Sequence, residues 1–197
     1  MRLIITRHGQ TEQNKARVLQ GQIPGELSEL GKEQARKVAE RLKEEQIDHI
    51  FISPLARAKD TAEEISKYHR DKPFELRDEL KELHMGKFQG KPAPEGLMED
   101  RWIKGYFSKS GGEEYSDLVE RAKIFLNDII PKFKGKNVLV VAHNGINQAL
   151  VTVLLGKDWR YIREMGGLKN TSVTIFEFDE EGNPIRKLFN CAKHLED

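Results

Sequence analysis

The sequence predicts an α/β protein: a three-layer sandwich with helices on both faces of a mostly parallel central sheet that has an antiparallel edge strand. Two observations predict this class. Short apolar and β-branched runs end at polar breaks, which is typical of buried strands. Longer segments with apolar residues at helical spacing alternate with these runs. Because no repeat, low-complexity tract or linker interrupts the 197 residues, we expect a single domain over residues 1–197.

Sequence signals place the elements in order. The strands are predicted to begin at residue 3 and then to cover residues 49–52, 74–76, 138–142, 172–178 and 186–190. The helices are predicted at residues 29–45, 54–68, 98–105, 113–130 and 145–155. Ser28 is placed to cap the first helix, and the dipeptide Ser53-Pro54 to supply a cap and a first-turn proline for the second.

The longest irregular segment is the other organisational feature. Residues 81–112 are rich in glycine, proline and charge, and residues 87–110 are a candidate lid because long loops of this kind are commonly functional. Trp102, Tyr106 and Phe107 in this segment form either an apolar cover over a substrate or a satellite of the core.

Composition narrows the classes of partner. With 33 basic and 32 acidic residues the formal net charge is +1, so charge predicts no nucleic-acid and no membrane partner. The apolar runs are too short to span a bilayer, and residues 1–6 are no signal peptide because a candidate site residue follows at Arg7. The single cysteine, Cys191, excludes an intrachain disulfide and favours a reducing, cytoplasmic compartment. Monomer and homodimer both remain open.

Two histidines with similar surroundings are the strongest sign of chemistry. His8 lies in R-H-G and His143 in A-H-N-G, each directly after a predicted strand. Open α/β sheets bind ligands at the carboxyl ends of their strands, so the fold would bring the two together. A lone histidine in such a place is commonly a surface residue, but two at equivalent positions favour a site. With the guanidinium of Arg7 beside them, they predict an anion site, most simply for phosphate.

An ordered set of motifs gives the chain a family resemblance. The set comprises R-H-G-Q-T-E-x-N (7–14), Q-G (20–21), S-P-L-x-R-A-x-x-T-A (53–62), E-L-x-x-G-x-x-x-G (82–90), G-G-E (111–113) and H-N-G (143–145). The chain thereby resembles the histidine phosphatase superfamily in its phosphoglycerate-mutase-like branch, the phosphatase type rather than the mutase type. The resemblance covers residues 2–195 and implies hydrolysis of a small phosphorylated metabolite, with no cofactor and no metal.

The same resemblance implies the main catalytic roles. His8 would be the nucleophile that becomes a phosphohistidine, because neutral imidazole can attack phosphorus. Arg7 and Arg57 would each bind phosphate oxygens with two N–H groups, and His143 would donate another hydrogen bond. Glu82 would protonate the leaving oxygen and later activate water.

Several assignments carry alternatives. Glu79 is an alternative to Glu82 as the acid. Arg57 taken alone would be interpreted as a solvated residue, but it shares one face of the predicted helix with Ser53, which favours a place in the site. Glycine at position 9 is expected to let the backbone approach the phosphate. Glu113 is either a carboxylate at a helix start or part of the site. The further predicted phosphate-contacting residues are Asn14, Gln20, Gly21 and Asn144, and the residues of a possible substrate mouth are His84 and Ser53.

Three functions therefore compete: a phosphatase for small phosphomonoesters, a cofactor-dependent phosphoglycerate mutase that uses the same phosphohistidine, and a catalytically silent module that binds phosphorylated ligands. Mutases of the resembling branch carry a long, arginine-bearing insertion after the acid. Here the segment after Glu82 is compact, and Arg101 is the only arginine between Asp78 and Lys109. A silent module would lack one of the five main groups. The phosphatase is favoured.

Overall fold

A six-stranded sheet forms the centre of the protein, for which a computed structural model describes residues 1–93 and 105–196. The predicted helix at residues 98–105 and Trp102 therefore lie outside the described residues, apart from Gly105. The strands are β1 (Arg2–Arg7), β2 (His49–Ile52), β3 (Phe74–Leu76), β4 (Asn137–Ala142), β5 (Val173–Phe178) and β6 (Pro184–Cys191).

The strand order β3-β2-β4-β1-β5-β6 confirms the predicted fold class. Strands β1, β2, β3 and β4 pair in parallel, whereas β5 is antiparallel to β1, and β6 is antiparallel to β5. The short strand β3 lies at one edge, as its alternating pattern predicts. The antiparallel part thus comprises two strands at the other edge.

Helices cover both faces of this sheet. They are α1 (Glu12–Lys15), α2 (Glu29–Leu42), α3 (Ala56–Ser66), α4 (Tyr115–Lys132), α5 (Asn144–Leu154) and α6 (Tyr161–Met165). Because successive side chains of a strand point to opposite faces, β1 packs Ile4 against α2 and α3, and Leu3 and Ile5 against α4 and α5. None of the helices within the described ranges is long and apolar enough to cross a bilayer.

The caps of α2 and α3 differ in how well the sequence predicted them. The Ser28 hydroxyl accepts the N–H of Gly31 and caps α2 as expected. The prediction that Ser53-Pro54 begins α3 is wrong, because the helix starts at Ala56 after an extended Leu55. The Ser53 hydroxyl instead lies 2.6 Å from His143 Nε2. The hydroxyl that was expected to cap the helix thus contacts a residue that is distant in sequence.

Strand register brings the candidate residues to one edge of the sheet. Arg7 ends β1 opposite Ala142 at the end of β4, and the His8 N–H donates to the Ala142 carbonyl over 3.0 Å. The N–H of Ser53, directly after β2, donates to Val141 over 3.0 Å. Residues that follow three neighbouring parallel strands therefore meet at the carboxyl ends, where α/β sheets place their ligands.

Candidate active site

A cavity of about 240 Å³ lies at these strand ends. Apolar contacts at its wall come from Val18, Leu19 and Met85. Most of the predicted site residues line it, namely Arg7, His8, Asn14, Gln20, Gly21, Arg57, Glu82 and Asn144. These eight residues share one cavity although they come from five separate segments of the chain, whereas His143, Ser53 and His84 are not among its lining residues.

His8 is held as a neutral imidazole with one defined tautomer. Its Nδ1 lies 2.6 Å from the Gly9 carbonyl oxygen, which only accepts hydrogen bonds, so Nδ1 carries the proton and Nε2 keeps its lone pair. Burial, followed by the charges of Arg7 and Arg57, holds the pKa of His8 well below the usual 6.5. The ring is therefore unprotonated at neutral pH, as a nucleophile requires.

Arg7 and Arg57 each donate some of their guanidinium N–H groups to backbone carbonyls, and each has a further N–H group without a partner among the described residues. Arg7 Nη1 donates to the Leu168 carbonyl over 2.6 Å, and Arg57 donates to Gly21 over 2.7 Å and to Ile23 over 3.2 Å. The Nε of both arginines is buried and has no hydrogen-bond partner among the described residues. Burial lowers the pKa of Arg57 to about 10 and that of Arg7 in the same direction, so both stay cationic at neutral pH.

His143 lies behind His8, with the ring centroids 5.1 Å apart. Its side chain is fully buried, Nε2 is 2.6 Å from the Ser53 hydroxyl, and Nδ1 has no partner within the described structure. Burial, then the charges of Arg57 and His8, holds the pKa of His143 well below its usual value. The second histidine is thus also neutral in the free protein.

Glu82 reaches the same cavity from the irregular segment. Its Oε1 accepts the N–H of Leu83 over 2.8 Å and that of Gly145 over 3.0 Å, at the amino end of α5. Helix amino ends favour a carboxylate because their N–H groups are unpaired. Glu79, the alternative acid, instead forms an ion pair of 2.7 Å with Arg77 and is not among the cavity's lining residues. The geometry therefore favours Glu82.

The remaining predicted site residues fall into two groups. Asn14 and Gln20 line the cavity and are tied to one residue: Thr11 and Asn14 bond reciprocally in a capping box, and Thr11 donates to Gln20 Oε1 over 2.9 Å. Ser53 is fully buried, so the prediction that it lines a substrate mouth is wrong. The half-buried His84 has its Nε2 3.3 Å from the side-chain nitrogen of Gln89 and is likewise not among the lining residues.

Two further expectations need a different physical reason. A Cβ on Gly9 would lie 2.3 Å from the Gly31 carbonyl oxygen, so close packing against α2, rather than approach to a phosphate, requires glycine there. Asn144, predicted to contact the phosphate, begins α5, and its side-chain oxygen accepts the Leu168 N–H over 2.8 Å. It thereby holds the same loop residue whose carbonyl binds Arg7.

Aromatic residues near the candidate lid pack into the core. Phe107 is 1% exposed and belongs to the cluster beneath α4 and α5, with Tyr106 against it. Glu113 is not a helix cap, because α4 begins at Tyr115 after Glu114, and its carboxylate pairs with Arg121 over 2.9 Å. Of the described part of this segment, the aromatic side chains are therefore structural.

Sequence reasoning missed two supports of the site. The loop at residues 166–171 supplies the Arg7 acceptor and Asn170, whose amide donates to the His8 carbonyl over 2.9 Å. Arg121 bonds the segment that carries Glu82. The sequence feature that could have identified Arg121 is its place on the apolar side of a predicted helix, three residues after Leu118 and four before Phe125.

No group of three or more His, Cys, Asp or Glu side chains is placed to bind a metal ion within residues 1–93 and 105–196.

Comparisons with known proteins agree with this geometry. Residues 3–191 match the model of the histidine phosphatase superfamily (branch 1). A metal-independent phosphoserine phosphatase of Arabidopsis thaliana is 39% identical over 91% of this chain and 77% of its own, and a glucosyl-3-phosphoglycerate phosphatase of Mycolicibacterium vanbaalenii is 32% identical over 87% and 81%. The solved structure of Bacillus stearothermophilus YhfR superposes with a TM-score of 0.87 at 28% identity, covering 99% of both chains. The protein therefore belongs to branch 1 of the histidine phosphatase superfamily and is a phosphoric monoester hydrolase.

Proposed function

We propose that the protein hydrolyses small-molecule phosphomonoesters without a metal ion, through a phosphohistidine on His8. One observation carries the proposal: Arg7 Nε, Arg57 Nε and His143 Nδ1 are buried without a partner in the described structure, around a neutral histidine. Buried polar groups are normally paired, since each unpaired one costs about 1–3 kcal/mol. A phosphoryl group offers acceptor oxygens to all three.

In the first half-reaction His8 Nε2 attacks phosphorus in line with the ester oxygen. The P–N bond forms as the P–O bond breaks, and Glu82 gives its proton to the departing oxygen, so the alcohol leaves neutral. The imidazole gains positive charge, and the Nδ1–H bond to the Gly9 carbonyl stabilises it.

In the second half-reaction the ionised Glu82 takes a proton from water as the water oxygen attacks phosphorus. The P–N bond breaks, His8 recovers its Nε2 lone pair, and phosphate leaves. Arg7 and Arg57 bind the equatorial oxygens in both steps and stabilise their charge. The cycle needs no oxidant, reductant or metal ion to balance.

Ser53 sets the proton of His143 in this scheme. Its hydroxyl accepts the Leu55 N–H over 3.3 Å and lies 2.6 Å from His143 Nε2, and we assign the hydroxyl as the donor in that second bond. The histidine proton then lies on Nδ1, the unpaired buried atom, which donates to a phosphate oxygen. Ser53 thus acts through His143 and not at the mouth of the cavity.

The substrate is a small phosphorylated metabolite. Two relatives, named as a phosphoserine phosphatase and a glucosyl-3-phosphoglycerate phosphatase, support hydrolysis and name two esters to test. Two others carry phosphoglycerate mutase names, so isomerisation is tested beside hydrolysis. Besides the charged and imidazole groups, the described lining residues combine the apolar Val18, Leu19 and Met85 with the amides of Asn14 and Gln20. That mixture suits a small polar alcohol.

The test is hydrolysis of p-nitrophenyl phosphate, phosphoserine and glucosyl-3-phosphoglycerate in EDTA, with isomerisation of 3-phosphoglycerate run in parallel. Wild type should release phosphate, and His8→Ala should not. His49→Asn is the matched control, because His49 packs against Phe51 and Phe133 at the other end of β2. Isomerisation faster than hydrolysis, or full activity in His8→Ala, would overturn the proposal.

A further inference from the structure

Arg121 on α4 uses all five of its N–H donors, two on the Glu113 carboxylate and three on the segment around Glu82. Its Nε and Nη2 bind the Glu113 carboxylate over 3.0 and 2.9 Å. The remaining donors bind three backbone carbonyls: Nη1 those of Glu79 and Lys81, each over 2.7 Å, and Nη2 that of Glu82 over 3.2 Å. A guanidinium has five donors, so none is left for a substrate.

Glu113 extends the same arrangement to the other side of Glu82. Its Oε2 accepts the N–H of His84 over 2.7 Å, and its own N–H donates to the His84 carbonyl over 2.7 Å. Arg121 and Glu113 are 17% and 25% exposed in their side chains, so water competes weakly for these bonds. Together they bind the backbone before, at and after Glu82.

This part of the chain has no regular backbone pairing; besides Arg121 and Glu113, it is anchored by Leu80 and Leu83 in the core and by Gln22 Nε2, which donates to the Glu82 carbonyl. Residues 81–85 lie between two short 3-10 turns (Asp78–Leu80 and Gly86–Phe88) and join no strand of the sheet. Three carbonyl dipoles converge on the Arg121 guanidinium and would repel each other without a cation there. The Glu82 carbonyl also accepts Gln22 Nε2 over 2.8 Å, whereas those of Glu79 and Lys81 would lose the side-chain donor that Arg121 supplies. The guanidinium of Arg121 therefore stabilises the bend that carries Glu82 into the cavity.

We propose that Arg121, held by Glu113, is a positioning residue for the general acid and base Glu82. The proposal rests on the proposed function, since it assigns Arg121 to the proton transfers of Glu82. Arg121 contacts no phosphate-binding atom and acts through the backbone of residues 79–82. A shift of an ångström in a catalytic carboxyl lowers proton-transfer efficiency while leaving phosphate binding intact.

The experiment compares esters whose leaving groups differ in their need for a proton. Dinitrophenolate leaves unprotonated, whereas the alkoxide of glycerol phosphate needs the acid. Single-turnover formation of phosphohistidine is followed by rapid quench in alkali, which isolates the first half-reaction. In Arg121→Met we expect the rate with glycerol phosphate to fall about 100-fold, the lower end for general acid catalysis, and that with dinitrophenyl phosphate to fall less than about threefold.

Arg77→Met is the matched control. Arg77 has a similarly buried guanidinium in the same region, but its side chain binds the carboxylates of Glu79, Glu75 and Asp128. It should keep the wild-type ratio between the two esters, and its urea unfolding measures what loss of such a network does to stability. Glu113→Gln and Arg121→Lys, which keep part of the bonds, should give intermediate ratios and remain informative if Arg121→Met does not fold.

Equal losses for both esters in these variants, or the same ratio as in Arg77→Met, would overturn the positioning role. Failure of the proposed function is distinguishable, since it would show as no phosphohistidine in the wild type with either ester.

Discussion

Replacement of Arg57 by methionine tests the phosphate-binding arrangement quantitatively. In the free protein Arg57 binds the Gly21 and Ile23 carbonyls and keeps Nε and one Nη2 proton for a ligand. These two N–H groups lie on one side of the guanidinium and match two phosphate oxygens. Each charge-assisted bond contributes about 1.5–3 kcal/mol, so their joint loss is about 3–6 kcal/mol.

Such a loss corresponds to a decrease of about 10²–10⁴-fold in kcat/KM. The assay is hydrolysis of p-nitrophenyl phosphate in EDTA, with inhibition by inorganic phosphate as a measure of ground-state binding. Arg57→Lys should still lose at least about tenfold, because two of the three donors of an ammonium group would bind the Gly21 and Ile23 carbonyls and one would remain for phosphate. Lys59→Met, at an exposed position of the same helix, controls for loss of charge. A decrease of less than about tenfold in Arg57→Met would refute the reasoning.

Three further predictions concern the surrounding groups. Ser53→Ala removes the partner of His143 Nε2. We expect kcat/KM to fall about 10–100-fold and the free energy of unfolding to fall by about 1–3 kcal/mol. Unchanged activity would argue against the role of Ser53 in fixing the tautomer of His143. Gly145→Ala would bring a Cβ within 2.5 Å of Glu82 Oε1. Relative to wild type, the rate of hydrolysis should therefore fall more for alkyl phosphates than for dinitrophenyl phosphate, while the fold persists. An equal decrease for both esters would contradict this prediction. His8 and His143 have folded pKa values well below the unfolded 6.5, so the unfolded state binds protons that the folded state does not. The free energy of unfolding is therefore at its full value above pH 6.5, and each histidine lowers it by up to about 1.4 kcal/mol for every pH unit below 6.5. Urea unfolding that gave the same free energy at pH 7 and pH 5.5 would contradict the lowered pKa values of His8 and His143.

Local sequence signals account for most of the architecture. The strand positions, the Ser28 cap and the edge position of residues 74–76 follow from apolar periodicity and capping chemistry, which act over a few residues. The convergence of His8 and His143 was also expected, because parallel strands end at one edge of a sheet, whereas Arg57 was expected there from the family resemblance. Among the helices of the described residues, α1 and α6, of four and five residues, were too short to show a helical period.

The errors share one cause, which is contact between residues distant in sequence. Ser53 was predicted to cap a helix, but its hydroxyl contacts His143. Gly9 was predicted to let the backbone approach the phosphate, but a glycine is required there because a Cβ would clash with Gly31. Arg121 lay outside any motif because its partners are backbone carbonyls, which every residue has. Pattern reasoning finds side chains with distinctive chemistry and misses those that act by holding the backbone.

The central claim is that His8 carries the phosphoryl group between ester and water. The most direct measurement mixes the enzyme with radiolabelled phosphomonoester in EDTA, quenches in alkali within one turnover, and locates the label by mass spectrometry. The account predicts label on His8 that forms and decays at rates matching turnover, with overall retention of configuration at phosphorus because two displacements occur. Rapid hydrolysis with no label on His8, and inversion at phosphorus, would contradict it.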